Sequence, residues 1–79
     1  MTADEMFEEI GFEKVKDTDI EVQYDYNATI MGDKLTHTIL FAKISRIIFS
    51  YNKNNGDRIG IGIQELQAIN KKCEELGWL

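Results

Sequence analysis

The sequence predicts an α+β domain, with an N-terminal and a C-terminal helix packed on one face of an antiparallel sheet of three to four strands. Three observations carry this expectation. Apolar residues recur at helical spacing near both ends of the chain. Between them they alternate with period two. The connections between the alternating segments are too short for the crossovers that parallel strands need. The expected order is helix, three strands, a short fourth strand and a helix, written αβββ(β)α. At 79 residues, a single domain spanning residues 1–79 is expected.

The first helix is signalled by Thr2-Ala3-Asp4-Glu5. A hydroxyl residue followed three positions later by Glu is a capping box, in which each side chain satisfies the other's backbone N–H. Asp4 and Glu5 also suit the positive end of the helix dipole. Ala3, Met6, Phe7 and Ile10 form one apolar face. Gly11 supplies a left-handed stop, and Phe12 folds back over Phe7.

Ile20–Asn27 alternates strictly, so Ile20, Val22, Tyr24 and Tyr26 are expected to face inward. Gly32-Asp33 signals a turn within residues 28–34. In Leu35–Lys43, residues Leu35, His37, Ile39 and Phe41 share a face. A connection near Lys43–Ser45 leads to Arg46–Tyr51, where Ile47, Phe49 and Tyr51 are expected inward. Asn52-Lys53-Asn54-Asn55-Gly56-Asp57 is the strongest turn signal in the chain.

Ile59, Ile61 and Ile63 alternate with Gly60 and Gly62, which predicts a short fourth strand with its isoleucines inward and its glycines bare. The paired glycines do not make a phosphate loop. A dinucleotide fingerprint needs a third glycine where Glu65 stands, and no Gly-Lys-Ser/Thr follows. The last helix starts near Gln64, with Leu66, Ile69, Cys73 and Leu76 as its stripe and Lys71, Lys72, Glu74 and Glu75 off it. It stops at Gly77, with Trp78 packing back toward Cys73. "EEIGF" and "EELGW" are one stop device used twice.

Composition narrows the function. One cysteine and one histidine can form neither an intrachain disulfide nor a zinc shell of about four ligands. The lone cysteine and an acidic start unlike a signal peptide point to a cytoplasmic setting. The longest apolar runs, Ile39–Ala42 and Ile47–Phe49, fall far short of the about 20 residues a membrane span needs. Net charge is -5, and residues 1–40 carry 10 acids against 3 lysines. Such a chain repels phosphate backbones, so direct nucleic-acid binding is not expected.

No residue pattern supports catalysis, a cofactor or a metal. The Asn52–Asp57 loop fails the calcium-loop register, because Tyr51 and Lys53 would stand where oxygen ligands belong. His37 is expected to be buried on the apolar face of its strand. Cys73 is expected to behave as a small hydrophobe. Glu8-Glu9 and Glu74-Glu75 are neighbours on helices and do not face each other. The sheet's other face is the one feature that suggests binding. It is expected to carry Thr36, Thr38, Leu40, Ala42, Ile48, Ser50, Gly60 and Gly62. Leu40, Ala42, Ile48, Gly60 and Gly62 are therefore the candidate contact residues for a protein partner or a second copy of the chain.

The termini "MTADEMFEEIGFEK" and "IQELQAINKKCEELGWL" resemble those of small uncharacterised proteins encoded by phages and prophages of Gram-positive bacteria. The matching residues, Phe7, Gly11, Leu66, Ile69, Leu76, Gly77 and Trp78, are caps and core. Gly60-Ile61-Gly62 departs from the more polar stretch expected at that place. The resemblance implies a shared fold and a mobile-element accessory gene in a bacterial host, and carries no catalytic residue. The function expected is thus non-catalytic protein–protein interaction, with homodimerisation a possibility. The alternative is an acidic inhibitor that imitates nucleic-acid charge against a host nuclease or regulator, resting on Asp4, Glu5, Glu8, Glu9, Glu13, Asp17, Asp19, Glu21 and Asp25.

Overall fold

Local capping sets both ends of the chain. In a computed structural model that describes residues 1–79, helix α1 spans Ala3–Glu9. Thr2 Oγ1 accepts the Glu5 N–H at 3.2 Å, and the Glu5 carboxylate accepts the Thr2 N–H at 2.8 Å. Gly11 adopts φ +94°, and the Phe12 N–H returns to the Phe7 carbonyl at 2.9 Å. The two rings meet edge to face, 5.7 Å apart. At the other end, α2 spans Ile63–Glu75 and stops the same way. Gly77 takes φ +76°, and the Trp78 N–H reaches the Cys73 carbonyl.

Between the helices lies one antiparallel sheet, with strands β1 (Glu13–Asp17), β2 (Glu21–Ile30), β3 (Asp33–Ala42) and β4 (Ile47–Asn52) in sequential order. The α+β class and the placement of both helices on one face are as the sequence predicts. Phe7, Phe12, Val22, Tyr24, Ile39, Phe41, Ala68, Ile69 and Cys73 form the core between helices and sheet. Phe7 stacks on Tyr24 at 4.0 Å, and Phe41 packs edge-on against both rings.

The strands themselves differ from expectation in four places. Glu13–Asp17 is a strand whose residues are all exposed. A bulge puts Val15 and Lys16 together opposite Gln23. Residues 59–63 are not a strand. The chain touches the edge of β4 only at its start, by the bridge of Tyr51 with Arg58 and by the Ile59 N–H donating to the Ser50 carbonyl at 3.2 Å, and Ile61 and Ile63 are exposed. Gly62 instead caps α2, its N–H donating to Glu65 Oε1 at 3.1 Å. Ile20 is exposed, because β2 starts after it, and Tyr26 is only partly covered.

β4 is flipped by one residue. Ser50 pairs with Ile39 and Ile48 with Phe41, so Ile48 packs on the core while Ile47, Phe49 and Tyr51 face the other way. On α2 the buried stripe is Ala68, Ile69, Lys72 and Cys73, and Leu66 is exposed. Lys72 is buried where a solvated lysine was expected. Its stem runs along the core, and its Nζ lies 4.0 Å from Asp4, 3.9 Å from Glu75 and 6.0 Å from the Tyr24 ring.

Candidate interaction face

With both helices on one side, the opposite face of the sheet has no covering element. Its rows follow from the register. Gln23, Leu40 and Phe49 lie abreast, as do Asp25, Thr38 and Tyr51, and then Glu21, Ala42 and Ile47. Val15 and Lys16 extend the Gln23 row onto β1. The face divides into two zones.

The β3–β4 zone is apolar. Leu40 and Ala42 are half-buried, while Ile47 and Phe49 are 48% and 46% exposed. The β1–β2 zone is polar but closed upon itself. Asp25 is buried, and its Oδ1 accepts from Thr38 Oγ1 at 2.8 Å and from Gln23 Nε2 at 3.0 Å. Lys53 stands 3.6 Å from its other oxygen. Lys16 pairs with Glu21 at 2.9 Å, which raises the lysine's pKa. The charges here already answer one another, so what the face offers outward is the apolar strip beside them.

Of the residues expected to make contacts, Leu40 and Ala42 lie on this face. Ile48 does not, because the one-residue flip of β4 turns it into the core. Gly60 and Gly62 do not either, because residues 59–62 leave the sheet and lead into α2. The residues missed are Val15, Ile47, Phe49 and Tyr51. Val15 had a signal, since Glu13–Asp17 stands within hairpin distance of β2. Ile47 and Phe49 had none, because Ile47-Ile48-Phe49 is apolar on both faces.

On the helix side, His37 is buried as expected and sits in a polar relay. Its Nε2 lies 2.7 Å from Ser50 Oγ, and Nδ1 lies 4.0 Å from Glu65 Oε1. Ser50 Oγ donates to the Ile59 carbonyl at 2.9 Å. With Ser50 Oγ donating to the Ile59 carbonyl, the ring meets the hydroxyl as a donor from Nε2, and a proton gained at Nδ1 would face the Glu65 carboxylate. In that arrangement the serine hydroxyl donates to a backbone carbonyl. The relay ties β3, β4, the 59–62 segment and the start of α2 together. Burial lowers the His37 pKa, and the Glu65 carboxylate opposes that. An open cleft of about 330 Å³ adjoins it, lined by Ile10, Phe12, Tyr26, Leu35, Gln64 and Glu65.

Cys73 is buried, and burial raises its thiol pKa, away from nucleophilic character. No three His, Cys, Asp or Glu side chains converge on a metal-sized site. No helix is long and apolar enough to cross a membrane. No family model, no curated protein and no solved structure matches the chain.

Proposed function

We propose that this chain is a non-catalytic interaction module, an accessory protein of a phage or prophage acting in a bacterial cytoplasm. It binds a protein partner through the apolar zone of the open sheet face. The observation that supports this is the cluster of Ile47 and Phe49 in water around Leu40 and Ala42, on a face that neither helix covers. Because Lys16–Glu21 and Lys53–Asp25 already pair within the face, the partner surface that fits is apolar rather than charged.

The test is capture of host proteins by the wild type and by Phe49→Asp, with Ile63→Asp as the control for an exposed isoleucine outside the sheet. A specific partner held in raised salt, lost with Phe49→Asp and kept with Ile63→Asp supports the assignment. Identical capture by Phe49→Asp and the wild type overturns it. The charge-mimic alternative has less support, since several of its acids are engaged within the molecule. Asp4 and Asp17 face Lys14, Asp17 also faces Lys43, Glu5 caps α1, and Glu21 and Asp25 face lysines.

A further inference from the structure

The helices do not cover their side of the sheet along its whole length. α1 stops at the Gly11 turn and α2 begins after Gly62, whereas β2 and β3 stay paired out to Ile30 and Asp33. Where the helices end, Tyr26 lies abreast of His37, and Leu35 follows on β3. The open cleft of about 330 Å³ beside His37 is the space left there, bounded on the helix side by Ile10, Gln64 and Glu65. Its volume is at the small end of the range for ligand clefts.

The cleft is walled by side chains that other contacts already hold. Phe12 and His37 are buried and meet edge to face at 5.2 Å. Ser50 holds the imidazole from below, at Nε2. The Tyr26 ring rests on Gly11, where a Cβ would fall 2.6 Å from its Cε2, and it also packs on Phe12 at 5.6 Å. It is nonetheless 37% exposed, so part of the ring is open to a ligand.

Charge decides what fits. Asp4, Glu21, Asp25 and Glu65 are the acidic side chains that are partly or wholly buried. The first three each have a lysine within 4.0 Å. Glu65 has none, and no lysine or arginine lines the cleft. Its only basic neighbour is His37, 4.0 Å away, and burial favours the neutral form of that ring. Glu65 Oε1 accepts the Gly62 N–H, which does not neutralise the carboxylate. A half-buried carboxylate without a cation, beside aromatic rings, is the arrangement that recognises organic cations. The carboxylate supplies a charge-assisted hydrogen bond, and the ring supplies its quadrupole.

We propose that this cleft binds a primary ammonium carried on an apolar body. The ammonium sits at Glu65 and Tyr26, and the body lies against Ile10, Phe12 and Leu35. Glu65 repels an anion, and a neutral molecule of the same shape leaves the carboxylate unanswered. A free amine and the lysine side chain of a peptide share this chemistry. The cleft is on the helix side of the sheet, so it is independent of the apolar strip on the open face.

NMR titration of the full chain tests this. Phenethylammonium represents the free amine and Nα-acetyl-lysine methylamide the peptide side chain. Phenethyl alcohol and hydrocinnamate are the neutral and anionic controls. His37 is the single histidine, so its ring protons report from the cleft alone. An amine should shift them saturably, with a dissociation constant of about millimolar size, as its few heavy atoms allow. The alcohol should bind about tenfold more weakly, and hydrocinnamate should not bind. Glu65→Gln keeps an acceptor for the Gly62 N–H, so the start of α2 survives and only the charge is lost. It should weaken amine binding by about tenfold. A response to the lysine derivative assigns the site to a peptide side chain, and a response to phenethylammonium alone assigns it to a free amine. No saturable shift with either amine up to about 50 mM overturns the proposal. So does alcohol binding as tight as the amine's, or amine binding indifferent to Glu65→Gln. Phe49→Asp leaves amine binding unchanged, so this proposal and the sheet-face proposal fail separately.

Discussion

The Tyr24 phenol donates to Asp4 Oδ1 at 2.6 Å, joining the middle of the sheet to the first turn of α1. Asp4 is also 2.8 Å from Lys14 on β1 and 4.0 Å from Lys72 on α2, so one carboxylate gathers four elements. Burial alone would raise the Asp4 pKa. The hydrogen bonds from Lys14 and Tyr24 outweigh it, and the pKa is lowered. Burial and the adjacent carboxylate both push the Tyr24 pKa far up, so the phenol stays a donor.

Tyr24→Phe keeps the Phe7 stack and removes only this donor. Asp4 is partly exposed and retains its lysines, so the expected loss is about 1 kcal/mol, below the roughly 1.5–3 kcal/mol usual for a bond to a charged acceptor. Urea denaturation at pH 7 measures it. The same variant should also unfold less steeply in acid. Asp4 contributes stability above its unfolded pKa of 3.8, and loses it as pH falls through the lower folded value. A variant as stable as wild type at pH 7 would show that Asp4 is held by its lysines alone.

The flipped β4 makes an unequal pair of neighbours. Ile48 packs against the core and Ile47 does not. Ile48→Ala should therefore cost about 2 kcal/mol, the lower range for deleting partly buried isoleucine atoms. Ile47→Ala should stay within about 0.5 kcal/mol, as surface substitutions do. Thermal or urea unfolding of the two variants side by side decides the register. The reverse order would put Ile47 inside.

This inversion shows what the sequence could and could not convey. Thr2, Glu5, Gly11, Phe12, Gly77 and Trp78 act within a few residues of themselves, and the chain's ends were legible from them. The β2 and β3 core faces were legible too: Val22 and Tyr24 alternate with polar residues, and Thr36 and Thr38 set the parity of β3 ahead of its apolar run Ile39–Ala42. β4 was not, since a one-residue slip exchanges faces and both faces of Ile47-Ile48-Phe49 are apolar. Residues 59–63 misled through their alternation. Ile61 and Ile63 stay outside because the Gly62–Glu65 cap draws the segment into α2 after one bridge. β1 was hidden because an edge strand exposed on every residue has no apolar period to display. Of the contact residues expected on the open face, Leu40 and Ala42 were readable from β3, whereas Phe49 depended on the β4 register.

His37 makes stability pH-dependent in a known direction. It is the only histidine, so its ring protons titrate without ambiguity. Burial among Phe12, Ser50 and the Ile59 carbonyl lowers its pKa below 6.5, and Glu65 is the one charged group facing it to oppose the shift. A depressed histidine pKa means that the folded state prefers the neutral ring. Stability is therefore full above pH 6.5 and declines as pH falls through that value toward the folded pKa. An NMR titration should place the midpoint below 6.5 in the wild type and lower still in Glu65→Gln. The urea midpoint should fall between pH 7 and pH 5.5, and His37→Gln should flatten that slope. A midpoint above 6.5 would mean that Glu65 outweighs burial, and the slope would then reverse.

Gly11 and Gly77 end their helices with the same left-handed turn, yet they should not tolerate alanine equally. Both have positive φ, +94° and +76°, so each Gly→Ala change meets a conformational cost of about 1–2 kcal/mol. At Gly77 a Cβ would enter open space. At Gly11 it would fall 2.6 Å from Cε2 and 2.8 Å from Cδ2 of Tyr26, so the ring must move. That ring also packs on Phe12, 5.6 Å away, which limits where it can go. Gly11→Ala should therefore be more costly than Gly77→Ala by about 1 kcal/mol or more, the usual size of an overpacking penalty. Paired urea melts measure the difference. Adding Tyr26→Ala to Gly11→Ala should recover the packing part and leave the conformational part, whereas additive losses from the two changes would show that the ring does not oppose the Cβ.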